Sequence, residues 1–185
     1  MTNLYSRIER ESTAAVIVDV QDKLFPLIYE HEKLANSIVR LINGLKVLGV
    51  PLIITQQYTK GLGGTISEVK DALGYFTHIE KQSFSCCGDP VFSEALKKTG
   101  RKNVILMGIE SHVCVLQTCL DLTENGYRPV LIEDCVSSRY KNDKKYAVKR
   151  MQQAGAIVST YESILFELTV VSGTEQFKSI SKIIK

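Results

Sequence analysis

Three residues of this sequence have side chains able to divide hydrolytic work between them: Asp19, Lys81 and Cys114. A thiolate attacks a carbonyl carbon, a carboxylate takes the thiol proton and returns it to the leaving group, and an ammonium favours the charged forms of both neighbours. Cys114 closes the stretch GIESHVC (108–114), which follows the apolar run NVILM and precedes a segment of helical spacing. A cysteine near a helix N-terminus gains from the helix dipole and from a nearby lysine, both of which lower its pKa. Backbone N–H groups at such a turn can bind an oxyanion. Each residue also has a plainer reading. Asp19 can be a turn or cap residue, Lys81 a surface charge, and Cys114 an inert buried thiol.

What must position them is a series of short apolar runs. TAAVIVDV (13–20), PLIITQ (51–56), THIEK (77–81), NVILMG (103–108), PVLIED (129–134) and AIVST (156–160) read as strands, THIEK being the weakest. Helical patterns fill the gaps. Leu34, Ile38, Leu41, Ile42, Leu45 and Leu48 recur at helical spacing, and Gly49 and Pro51 close that helix. Asp89 can cap a helix that starts at Pro90, Asn125–Gly126 ends the helix after Cys114, and Val148, Met151 and Ala154 form a stripe before Gly155. Strand–helix alternation with short connections predicts an α/β fold, a parallel sheet covered by helices on both faces, in one domain over residues 1–185. Ligands bind beyond the carboxyl ends of such strands. Asp19 ends the first strand, Lys81 the third, and Cys114 lies just past the fourth.

Composition narrows the function classes. A chain of 185 residues with 44% hydrophobic and 23% charged content is ordinary for a globular protein, and a net charge of +3 is too small to argue for nucleic acid. The densest basic run, KNDKKYAVKR (141–150), reads as a solvated helix face. No run approaches the ~18 to 20 apolar residues of a membrane span, and MTNLYSRIER lacks the apolar centre of a signal peptide. Five cysteines without a CxxC predict reduced thiols and a cytoplasmic protein. Cys119 and Cys135 read as core thiols, and Cys86 and Cys87 as packing residues that could edge a pocket. His31 and His78 are isolated. His112 is two residues from Cys114, a spacing that turns the pair to opposite helix faces.

VDVQDKLFP (18–26), HIEKQSFSCC (78–87) and LMGIESHVCVLQTCLDL (106–122) resemble the three signature segments of the isochorismatase-like cysteine hydrolases, and EDCVSS (133–138) extends the likeness. The nearest resemblance is to the isochorismatase domain-containing proteins, some of which carry a ribonuclease label. The resemblance implies a catalytic triad of Asp19, Lys81 and Cys114, and a three-layer fold on a six-stranded parallel sheet of order 3-2-1-4-5-6. It also implies a cis peptide between Ile109 and Glu110 that turns the Glu110 N–H toward the same point as the Cys114 N–H, an oxyanion hole. Similar proteins are commonly homo-oligomers, and the apolar segment ILFELTVV (164–171) fits that expectation.

One departure bears on chemistry. Nicotinamidases of this superfamily carry an Asp-x-His metal segment after the second strand, whereas TQQYTKGLGGT (55–65) has neither residue type. No metal or cofactor is therefore expected, and nicotinamide is a poor candidate substrate. The glycines at 61, 63 and 64 lead into a candidate capping box, Thr65-x-x-Glu68, where an anion could bind, although a flexible loop over the pocket is the better reading. The expectation is a metal-independent cysteine hydrolase that cleaves a small amide or related C–N bond through a covalent Cys114 intermediate. The alternatives are a vinyl-ether hydrolase of the isochorismatase kind, which needs no thiol, a catalytically silent binding or scaffold protein, and a ribonuclease. The last lacks a basic groove and a histidine pair.

Overall fold

Burial on both faces explains why the central strands read as unbroken apolar runs. In the computed structural model, which describes residues 6–185, every residue of β1 (Thr13–Val18) and of β4 (Asn103–Ile109) is buried. Alternate residues of β1 serve two different cores. Ala15 and Ile17 pack with helices α1 (His31–Val47), α3 (Ser67–Leu73, which follows the short α2, Thr59–Leu62), α7 (Tyr161–Thr169) and α8 (Glu175–Ile184). Ala14, Val16 and Val18 pack with α4 (Pro90–Lys98), α5 (Leu116–Glu124) and α6 (Lys141–Gln153). The two-residue period of a strand thus assigns one β1 side chain to each layer in turn.

The remaining strands are β2 (Leu52–Gln57), β3 (Ile79–Lys81), β5 (Arg128–Ser137) and β6 (Ile157–Ser159). The sheet is six-stranded and all parallel, in the order β3-β2-β1-β4-β5-β6. Strands β2 and β3 are added on one side of β1 and β4 to β6 on the other, so β1 and β4 lie side by side at the switch point where the strand order reverses. Their approach is close. A Cβ at Gly108, whose φ is +119°, would collide with the backbone oxygen and nitrogen of Val18, so only glycine fits there.

Local signals account for most helix ends. Asp89 accepts hydrogen bonds from the Val91 and Phe92 amides and caps α4, with Pro90 at its first position. Gly49 and Gly126, both at positive φ, follow the ends of α1 and α5. The Thr65–Glu68 capping box does not form. Thr65 bridges back to Gln21, and its hydroxyl accepts from Gln56 Nε2 at 2.9 Å. Helix α3 then starts at Ser67 with no side-chain cap, so the alternative of an anion site there has no such cap to rest on. The glycine loop itself is stitched down. Its carbonyls at Leu62 and Gly64 accept from the Lys23 and Asp22 amides, and Gly63 accepts from Gln21 Nε2.

No helix among the described residues is long and apolar enough to cross a membrane. The expectation about the first residues falls partly on residues 1–5, outside the described part.

Candidate active site

The switch point brings Asp19, Lys81 and Cys114 to one edge of the sheet. Asp19 leaves the end of β1 with a positive φ of 49°, a conformation that aspartate tolerates better than most residues. Its Oδ1 accepts a hydrogen bond from Thr55 Oγ1 at 2.7 Å, and its Oδ2 accepts one from Lys81 Nζ at 2.6 Å. Lys81 is the last residue of β3, and its ammonium is fully enclosed. It has four acceptors: Asp19 Oδ2, Gln57 Oε1 at 2.8 Å, and the Ser83 and Phe84 carbonyls at 3.1 and 3.0 Å. Burial works against the charge, but Asp19 and the thiols of Cys114 and Cys86 outweigh it and hold Lys81 above the usual lysine range.

Cys114 lies in a π-helical turn, Ser111–Val115, that leads directly into α5. Its residue exposure is 8%, so it is reachable from solvent where Cys86, Cys119 and Cys135 at 0% are not. The thiol is 3.9 Å from Gln57 Oε1. Burial pushes its pKa up, Asp19 pushes it further as a nearby charge and as a hydrogen-bond acceptor, and Lys81 only partly offsets them. Lys81 acts in the expected direction, but the net shift is upward, against the expectation that the thiol pKa would be lowered. Desolvation and the adjacent carboxylate dominate.

The turn carrying the candidate oxyanion donors is tied to the end of β5. The Ile109–Glu110 peptide is cis. The Glu110 carboxylate is 3.2 Å from Arg139 Nε, and His112 Nδ1 is 3.0 Å from Ser138 Oγ. His112 is therefore turned toward β5, not paired with Cys114. The loop after Lys81 is held from the other side, since the Cys86 amide donates to Thr118 Oγ1 at 2.9 Å and Ser85 donates to Asp121, both on α5. Lys81 and Cys114 are thus positioned by elements that brace each other.

Sequence reasoning missed Thr55 and Gln57, both near the carboxyl end of β2. Parallel register pairs Gln57 with Lys81, and that pairing is the signal that could have found it. Cys86 backs onto Thr55, with Sγ and Oγ1 3.8 Å apart, and burial raises its pKa to about 11. A surface hollow lined by Tyr29, Glu133, Lys141 and Lys144 includes none of the three candidate residues. Among the described residues, no group of three His, Cys, Asp or Glu side chains is arranged to hold a metal ion.

Residues 13–163 match the isochorismatase domain family. The chain is 37% identical over 190 residues to Isochorismatase family protein 1B of Dictyostelium discoideum, covering 100% of this chain and 92% of the relative. A solved structure named MAR1 ribonuclease, from Caenorhabditis elegans, superposes with a TM-score of 0.90 at 40% identity, covering 97% of this chain and 92% of that one. The YcaC gene product of Escherichia coli, described as an octameric hydrolase of unknown specificity, superposes with a TM-score of 0.91 at 25% identity, covering 99% and 91%. This chain belongs to the isochorismatase family.

Proposed function

We propose that the protein is a metal-independent cysteine hydrolase acting on a small amide or related C–N bond. The observation that carries this reading is a buried carboxylate, Asp19, bonded to the Lys81 ammonium, which in turn shares the acceptor Gln57 Oε1 with the Cys114 thiol at the switch point of the sheet. As the Cys114 sulfur bonds to the carbonyl carbon, Asp19 takes the S–H proton and the carbonyl electron pair moves onto oxygen. The Glu110 N–H, just before the turn, and the Cys114 N–H, within it, receive that oxyanion. Collapse breaks the C–N bond, and the proton on Asp19 goes to the departing nitrogen. Water then attacks the thioester and gives a proton to Asp19. Collapse breaks the C–S bond, and the proton returns to sulfur. Lys81 remains an ammonium throughout and offsets the charge that moves between Asp19 and Cys114. The octameric relative supports a homo-oligomer for this chain as well.

The test is ammonia release from a panel of small amides, wild type against Cys114→Ser. Turnover in the wild type and its loss in the variant is the expected result. Activity on a vinyl ether retained by Cys114→Ser would favour isochorismatase-type chemistry, in which the aspartate acts as an acid. No turnover across the panel would favour a binding or scaffold role. The C. elegans relative raises a ribonuclease reading, but the geometry offers it little. Lys81 has no exposed ammonium for a phosphate, and His112 is engaged with Ser138.

A further inference from the structure

We propose that Gln57 is a positioning residue for the Cys114 thiol: its side-chain oxygen, aimed by Lys81, accepts the S–H and keeps the sulfur protonated until Asp19 removes the proton. This rests on the reading of Cys114 as the nucleophile.

The Gln57 amide is held in one orientation. Its Oε1 accepts from Lys81 Nζ at 2.8 Å, and its Nε2 donates to the Gln82 carbonyl at 2.7 Å. Exchanging the two atoms would set an NH2 against an ammonium and a carbonyl against a carbonyl, so both contacts would become repulsive. The backbone is fixed as well. The Gln57 N–H donates to Gln21 Oε1 at 2.7 Å, and its carbonyl accepts from Gln21 Nε2 at 3.0 Å. The side chain that faces Cys114 at 3.9 Å therefore presents a lone pair and no proton.

A lone pair treats the two forms of the sulfur differently. It accepts a hydrogen bond from the thiol and opposes the thiolate, and a bond made to the neutral form disfavours ionisation. The charged and titratable groups that act on Cys114 are Asp19, Lys81 and Cys86. Gln57 adds to them an acceptor that carries no charge at any pH. Lys81 does not depend on it. Without Gln57 the ammonium keeps three acceptors for its three protons, namely Asp19, Ser83 and Phe84.

The experiment follows alkylation of Cys114 by iodoacetamide against pH in the full chain, with peptide mapping, for wild type, Gln57→Met and Gln57→Glu. Methionine keeps the length and removes the acceptor, so the midpoint of the rate profile should move down. At a fixed pH below the midpoint, the rate should rise by about threefold to tenfold, equivalent to roughly half to one pH unit. Glutamate adds a negative charge at the same point, so the midpoint should move up and the rate fall. A merely structural role would loosen the site in both variants and move both midpoints the same way. That result, or two unmoved midpoints, would overturn the proposal. If one variant fails to fold, the other decides by its shift at Cys114 with the rate at Cys87 unchanged. Unmoved midpoints in a chain that hydrolyses amides would remove the role of Gln57 alone. Opposite shifts in a chain whose wild type has no amide turnover would remove the hydrolase reading alone.

Discussion

Lys81 Nζ and Asp19 Oδ2 meet at 2.6 Å where neither side chain has more than 1% exposure. Each makes the other's charge tolerable inside the protein. Removing one partner of such a pair leaves a buried charge without compensation, at a cost of about 3 to 5 kcal/mol. Lys81→Met should therefore be strongly destabilised in urea unfolding. The double variant Asp19→Asn, Lys81→Met removes both charges and should recover part of that loss. A double variant that loses the full sum of the single losses would show that the two residues act independently.

Thiol reactivity should follow exposure first and charge second. Limiting iodoacetamide should label Cys114 before Cys119 and Cys135, because only Cys114 of these three has any exposure. The reaction should be slow at neutral pH and speed up as pH rises, since burial and Asp19 keep the thiol protonated. Asp19→Asn removes a charge that opposes the thiolate and should move the profile toward lower pH. Lys81→Ala removes the cation and should slow the reaction. Peptide mapping by mass spectrometry reads each outcome.

Stability should decline in alkali. Burial raises the pKa of Cys86 to about 11 and of Cys87 and Cys119 to about 12, against an ordinary value of 9.0, and that of Cys135 is raised as well. Above pH 9 the unfolded chain gives up thiol protons that the folded chain keeps, so the unfolded state gains and stability falls. The melting temperature should hold below pH 9 and drop between pH 9 and 11. Cys119→Ala, measured against its own value at pH 7, should flatten that drop. An equal drop in the variant would assign the alkaline loss to other groups.

Exposed apolar side chains at Val170 and Val171, just past α7, are 66% and 58% accessible. An assembly larger than the 20.7 kDa chain is expected from light scattering at micromolar concentration. A particle of the chain's own mass would contradict it.

Activity should survive dialysis against EDTA. The donors at the end of β2 and just after it are amides and hydroxyls already engaged elsewhere, with Gln57 on Lys81 and Thr59 donating its hydroxyl to Gln56. These are poor ligands for zinc. Recovery only on adding zinc, iron or manganese would count against the proposed mechanism.

Much of the fold was legible because buried parallel strands have few ways to be written. The wholly buried β1 and β4 announce themselves as apolar runs, and Asp89–Pro90 and Asn125–Gly126 mark helix ends by capping chemistry. The three candidate residues were legible from strand ends and from family segments. Other features depend on relations that no local pattern carries. Gln57 gains its place from its register opposite Lys81. The Thr65–Glu68 box fails because Thr65 is drawn to Gln21. The opposing pulls of Lys81 and Asp19 on the Cys114 thiol were visible in sequence, but the net direction of the shift is decided by desolvation, which is not.

The four acceptors around Lys81 outnumber its three protons. None of those protons is free to leave without stranding an oxygen inside the protein, so this ammonium is a fixed charge and not a reservoir. The site then holds one transferable proton, the one that begins on sulfur. Each half of the proposed reaction passes one proton through Asp19, from sulfur to the departing nitrogen in the first and from water to sulfur in the second, and until water enters nothing in the enclosure supplies another. A leaving group that departs as a neutral amine after receiving one proton suits that inventory. One that must be protonated twice does not, and for it the reaction would stall at the tetrahedral adduct, before the C–N bond breaks.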